Sequence, residues 1–114
     1  MIKLINFTNK ITSKQINLSN VNDRKKYSYE LKEFEKQFVY PLGNDTFHIE
    51  HGQNSDYFSF FEKLGKPNIM VLEKNNKIIG VCSAVLREIN NKKYWYLCDF
   101  KIEKEHRGKN YIGY

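Results

Sequence analysis

Apolar residues in the middle of the chain recur at helical spacing. Tyr27, Leu31, Phe34 and Phe38 fall at i, i+4, i+7 and i+11, with Lys25, Lys32, Glu33 and Lys36 on the opposite face. This spacing predicts an amphipathic helix over about 24–38, capped by Asn22 or Asp23 and closed by Pro41 and Gly43. A second helix is predicted from Ser55, a good N-cap, with Asp56 at the positive end of its dipole. Its buried stripe is Tyr57, Phe60, Phe61 and Leu64. Gly65 is expected to end it in a left-handed conformation, and Pro67 to prevent its continuation.

From residue 69 the period changes to two. Strands are predicted at 69–73, 77–89 and 93–103, joined by Asn75-Asn76 and Asn90-Asn91, residues that tolerate positive φ. The expected unit is an antiparallel three-strand meander. In its last strand Tyr96, Cys98, Phe100 and Ile102 should face one way, and Trp95, Leu97, Asp99 and Lys101 the other. Upstream, Ile2 and Leu4 hint at a first strand, 10–23 reads as loop, and Phe47 and Ile49 suggest a short strand over 46–50.

A length of 114 residues leaves room for a single domain. With 40% hydrophobic and 28% charged residues the chain is neither membrane-spanning nor disordered. The net charge of +6 invites an anionic partner. The lysines outnumber the arginines and are scattered, however, and no recognition motif accompanies them, so neither nucleic acid nor a membrane is expected as a partner. Cys82 and Cys98 lack C-x-x-C spacing, which argues against zinc or redox chemistry. Pairing about Asn90-Asn91 would put them on opposite faces, where no disulfide forms. The opening residues have no signal-peptide pattern, so a cytoplasmic location is expected.

After the last predicted strand come Arg107, Gly108, Lys109 and Asn110. A strand running into a turn of successive backbone N–H groups forms an anion trap, and two cations there suit a pyrophosphate. Taken with the strand order, residues 69–113 resemble the GNAT acetyltransferase family. IMVLEKNNKIIGVCSAVLREI is similar to its second and third strands, and KYWYLCDFKIEKEHRGKNYIG to its fourth strand and acetyl-CoA loop. Residues 24–64 fit the paired helices that precede them. The resemblance implies an α/β fold of the α+β type: a mixed sheet, two N-terminal helices, then the meander, with 1–114 forming one truncated domain whose C-terminal half is missing.

The resemblance further implies transfer of an acetyl group from acetyl-CoA to a primary amine, with no covalent enzyme intermediate. The pantetheine arm would meet the main chain of Phe100, Lys101 and Ile102, and the pyrophosphate Arg107, Gly108, Lys109 and Asn110. Asp99 is the candidate general base, with Glu73, Glu88 and Glu103 nearby on the strands. Two departures bear on this. The family pattern R/Q-x-x-G-x-G/A meets Asn110 and Ile112 at its small positions, with Gly113 one residue late. The fifth strand is absent, so activity is expected to be reduced or lost, and the strand 93–103 would be an exposed edge between Lys93 and Glu103.

The rival reading is a small basic binding module that uses this edge to pair with another copy or a partner chain. His48, Glu50, His51 and Asp56 contain an H-x-x-H spacing, but in a strand and loop it separates the imidazoles, and no metal site is expected. In the GNAT topology that loop borders the acceptor. The acceptor itself is not specified by these residues.

Overall fold

The computed structural model describes residues 11–49, 51 and 55–108. The weak strand at Ile2 and Leu4 lies outside them. Strand β1 (Ile11–Gln15) precedes helix α1 (Val21–Glu35), and a hairpin, β2 (Tyr40–Leu42) and β3 (Asp45–Phe47), leads to helix α2 (Ser59–Leu64). The meander follows as β4 (Lys66–Lys74), β5 (Lys77–Ile89) and β6 (Lys92–Ile102), ending in a 3-10 turn, Lys104–His106. Among the described residues the main sheet has the order β1-β4-β5-β6, and every neighbouring pair is antiparallel. The expected mixed sheet is therefore corrected to an antiparallel one. No helix among the described residues is long and apolar enough to cross a membrane.

The asparagine turns follow the sequence closely. Asn75 and Asn76 have φ of 55° and 61°, and Asn90 and Asn91 have 52° and 64°. Both central residues of each loop are thus left-handed, the geometry whose twist matches a two-residue hairpin. The segment 10–23, expected as loop, instead supplies β1 and the start of α1. β1 is almost wholly exposed, so its pairing with β4 rests on main-chain bonds and leaves little alternation to read. Its one deep anchor lies just beyond it: Ile16 is buried and its N–H donates to Ile69 O at 2.9 Å.

Helix α1 starts earlier than expected because Asn20, not Asn22 or Asp23, caps it, accepting from Asp23 N at 3.0 Å. Tyr27, Leu31 and Phe34 face the sheet as predicted, and Phe38 is buried just past the helix end. Pro41 and Gly43 do not close the helix; they belong to the β2–β3 hairpin, where Gly43 has φ +63°. The strand expected over 46–50 is β3 instead, so Ile49 lies beyond it, and Glu50 is outside the described residues.

Helix α2 is shorter than expected. The Asp56 carboxylate accepts from Phe58 N at 2.6 Å, and this turn occupies what was to be the first helical turn. The shift changes the buried set: Phe58 is fully buried, whereas Phe60 is 63% exposed. Gly65 is extended rather than left-handed (φ 163°), and β4 begins immediately after it, with Pro67 inside the strand. Pro67 is tolerated because β1 pairs only with residues from Met70 onward, so its nitrogen faces no neighbour there. Gly65 is needed for a close approach, since a Cβ would lie 2.4 Å from Leu86 O and 2.9 Å from Val85 Cγ1.

Both helices pack on one face of the sheet. Tyr27, Leu31 and Phe34 from α1 and Tyr57, Phe58 and Phe61 around α2 meet Ile69, Val71, Val81 and Val85 in one cluster. Arg24 ties the helices together. Its Nε donates to Asp56 Oδ2 at 2.8 Å and its Nη1 to Glu62 Oε2 at 2.9 Å. Burial would raise the Asp56 pKa, but Arg24 and the Phe58 and Ser59 amides hold it below the ordinary value. The Arg24 hydrogen bonds hold Glu62 low as well.

Two outcomes follow. Gly65→Ala should lower unfolding free energy by about 1–3 kcal/mol or more in urea titrations, because the methyl group meets backbone that has no room to move. Arg24→Met should cost about 1 kcal/mol near neutral pH, given the partial exposure of the triad. Both carboxylates have depressed folded pKa values, so their stabilisation is present above 3.8 and 4.5 and is lost as pH falls through the folded values. The gap between wild type and Arg24→Met should therefore narrow in acid, and a gap that stays constant to about pH 2 would refute this role.

Candidate functional site

A β-bulge in β6 decides which side chains reach the helix-covered face of the sheet. From the turn to Ala84↔Leu97 the β5–β6 partners keep one register, and after a shift at Ser83/Ala84 they resume at Ser83↔Asp99. Cys98 is the extra residue. Directly opposed residues share a face, so Val85, Ser83 and Val81 place Tyr96, Asp99 and Lys101 on the helix side. Trp95, Leu97, Phe100 and Ile102 occupy the other side. The unbroken alternation expected for this strand is thus corrected: Asp99 and Lys101 do share a face, but with Tyr96 rather than Trp95 and Leu97. Cys82 lies opposite Phe100, whereas Cys98 lines the helix-side cleft, and both are free thiols.

Asp99 and Lys101 enter a cleft of about 480 Å³ together with Glu35, Tyr40, His51, Tyr57 and the α2 phenylalanines. Glu35, the last residue of α1, sits on the buried face of that helix and is only 2% exposed. A carboxylate so deep requires a counter-charge. It has one: the Lys101 ammonium binds Glu35 Oε2 and lies 3.1 Å from Asp99 Oδ2. Tyr40 OH donates to Glu35 Oε1 at 2.7 Å, and Tyr57 OH to Asp99 Oδ2 at 3.2 Å. Lys101 Nζ also stands 5.5 Å and 5.4 Å from the Phe38 and Tyr40 ring centres.

The electrostatics follow from these contacts. Burial works against the charge on Lys101, but hydrogen bonds to Glu35 and Tyr40 and the field of Asp99 outweigh it and raise its pKa. Lys101 is therefore a fixed cation at neutral pH. Burial, then the negative charges of Asp99 and Glu35, push the Tyr57 phenol well up, so it stays a hydrogen-bond donor. Burial lowers the His51 pKa; its ring lies 5.2 Å from that of Tyr57.

The other expected residues are spread out. Phe100 is exposed, Ile102 half-buried, and both side chains lie on the face away from the cleft. Arg107 Nε donates to Ile102 O at 3.0 Å, and Gly108 has φ +78° with open space around it. Lys109 and Asn110 lie outside the described residues. Among the alternative bases, Glu73 accepts from Tyr27 OH at the far side of the sheet, and Glu88 is exposed near the hairpin end. Glu103 groups with Glu105 and His106 in the 3-10 turn. His48 Nδ1 is 3.1 Å from Phe38 O, while Asp56 serves Arg24.

Glu35, Tyr40 and Tyr57 were not expected at a site. Glu35 carried a signal: a carboxylate four residues after Leu31 falls on the apolar stripe of α1. Tyr57 was read as packing, which is half its role.

No protein-family model and no curated protein matches the chain. Solved structures that share its fold include an aminoglycoside acetyltransferase, meta-AAC0020, from an uncultured soil metagenomic sample. Its complex with trehalose aligns at 20% identity and its complex with sisomicin at 21%, each with a TM-score of 0.55. The alignments cover 91% and 93% of this chain but 61% and 62% of that protein, so the chain spans about three fifths of its length. At this identity the likeness is one of fold.

Lys101→Met should cost about 3–5 kcal/mol, because Glu35 is left buried without its counter-ion. The double substitution Glu35→Gln/Lys101→Met should recover most of that loss in the same urea titration. Equal destabilisation of the single and double variants would show that the two groups are not coupled.

Proposed function

We propose that the chain carries the acceptor side of a GNAT-type N-acetyltransferase, which moves the acetyl group of acetyl-CoA to a primary amine bound at Asp99. The observation that carries this reading is the bulged β6. It turns Asp99 into the cleft while the outer edge of the same strand stays unpaired among the described residues.

That edge fits acetyl-CoA. The outer edge of β6 along Phe100 to Ile102 offers main-chain groups to pantetheine amides, with Ile102 O already taken by Arg107 Nε. Beyond them Arg107 and the left-handed Gly108, followed by Lys109 and Asn110, suit an anionic group. Acetyl-CoA supplies an activated thioester. Asp99 would accept the proton of the incoming amine as the C–N bond forms and the thioester C–S bond breaks, the coenzyme leaving as its thiolate. Tyr57 holds the Asp99 carboxylate in place through the hydroxyl bond. Lys101 and Glu35 fix the cleft floor.

Calorimetric titration with acetyl-CoA should give binding in the high-micromolar to millimolar range, and no heat at millimolar ligand would exclude a cofactor role for this chain. Where transfer is measurable, Asp99→Asn should lower it by about 10²-fold with acetyl-CoA binding unchanged.

A second reading draws on the opposite face, where Trp95 and Leu97 are 60% and 66% exposed beside the unpaired edge. Here the chain is a binding module whose β6 pairs with a second copy of itself. The net charge of +6 opposes that contact, so association should strengthen with salt. A monomer in sedimentation at both low and high salt would remove this reading.

A further inference from the structure

The cleft holds two carboxylates, and one internal ammonium already stands between them. Lys101 is 10% exposed at its side chain and touches Glu35 and Asp99. Both oxygens of Glu35 are engaged, one by Lys101 and one by the Tyr40 hydroxyl. Asp99 Oδ2 takes the Tyr57 hydroxyl and faces Lys101, which leaves Oδ1 as the acceptor that the cleft offers. With Glu35 and Asp99 negative and Lys101 positive, the cleft carries one uncompensated negative charge. The rest of its wall is Ile49, Phe60, Phe61 and the Tyr57 ring, with Tyr40, His51 and Cys98 beside them, a mainly apolar surface that favours an apolar body.

We propose that this cleft selects a primary amine with a single positive charge on an apolar, ring-sized body, and disfavours polycationic amines, because Lys101 occupies the place a second ammonium would need. The selection rests on the acetyltransferase reading only in naming the amine as an acceptor; as a binding preference it stands alone. One ammonium is drawn to Asp99 and lies against aromatic rings. A second one on the same molecule meets the fixed Lys101 charge across a poorly screened gap, where like charges repel strongly. Wide polyamines also cover the apolar wall with groups that must give up water there.

The test is an NMR titration of the intact chain with tyramine and with spermidine at neutral pH and moderate salt. Tyramine should perturb the amides of Asp99, Lys101 and Tyr57 with at least tenfold tighter affinity than spermidine. Asp99→Asn should abolish tyramine binding in an otherwise unchanged spectrum. The Glu35→Gln/Lys101→Met variant keeps the net cleft charge but lacks the fixed ammonium, so its preference should fall to near parity or reverse.

Spermidine binding as tightly as tyramine to the wild type would overturn the proposal, as would no binding of either amine. A folded double variant with the wild-type ratio would do the same. If the double variant does not fold, the Asp99→Asn result and the wild-type ratio decide alone. Failure of acetyl-CoA to bind, with the tyramine preference intact, would sink the acetyltransferase reading and leave this one standing.

Discussion

One extra residue in β6 sets the character of the molecule. Without the bulge at Cys98, the alternation running from the Asn90-Asn91 turn would bring Cys98 and Phe100 to the helix face and turn Asp99 and Lys101 outward. Glu35 would then be a buried carboxylate with no cation, and the cleft would lose both charged groups that β6 supplies. With the bulge, Phe100 and Leu97 lie together on the outer face, while Asp99 and Lys101 meet Tyr57 and Glu35. The strand thus trades regular pairing at one residue for a matched set of charges, the buried Glu35 and the half-buried Lys101 and Asp99.

Those charges connect elements that hydrophobic packing alone would leave free to adjust. Lys101 links the end of α1 to the edge strand β6, and Tyr40 and Tyr57 link the hairpin and the approach to α2 to the same network. Burying an ion pair adds little net stability, because desolvation consumes most of the attraction. Its effect here is on geometry. Apolar contacts among Tyr27, Leu31, Phe61 and Val81 tolerate small slides, whereas a buried carboxylate and ammonium fix the depth and angle at which α1 meets β6.

Much of the meander was legible in the sequence, because Asn75-Asn76 and Asn90-Asn91 encode left-handed turns directly and the strands between them are long. Tyr27, Leu31 and Phe34 announced α1 for the same reason, a strong period. β1 was not legible: its side chains are exposed and its contribution is main-chain pairing, which leaves no alternation. α2 was misphased because Asp56 forms a tight turn with Phe58 N where a helical turn was expected, which exchanged Phe60 for Phe58 in the core. In β6 the signal was present. Trp95, Leu97, Phe100 and Ile102 are spaced two, three and two apart, and so are Tyr94, Tyr96, Asp99 and Lys101. The break between 97 and 100 marks the bulge, and reading through it with a strict period of two mixed the two faces.

The same break explains why the two faces of the sheet differ so sharply. The helix side closes over Glu35, Lys101 and Asp99, which bind one another and the Tyr40 and Tyr57 hydroxyls. The other side gathers Trp95, Leu97 and Phe100, all substantially exposed, beside an edge of β6 that is unpaired among the described residues. An apolar surface next to unpaired main-chain groups favours association in water. A strand in that position could pair its main chain with β6, and so could the amides of an extended ligand arm. The charged cleft and the apolar outer patch are therefore two consequences of one inserted residue, on opposite faces of a single strand.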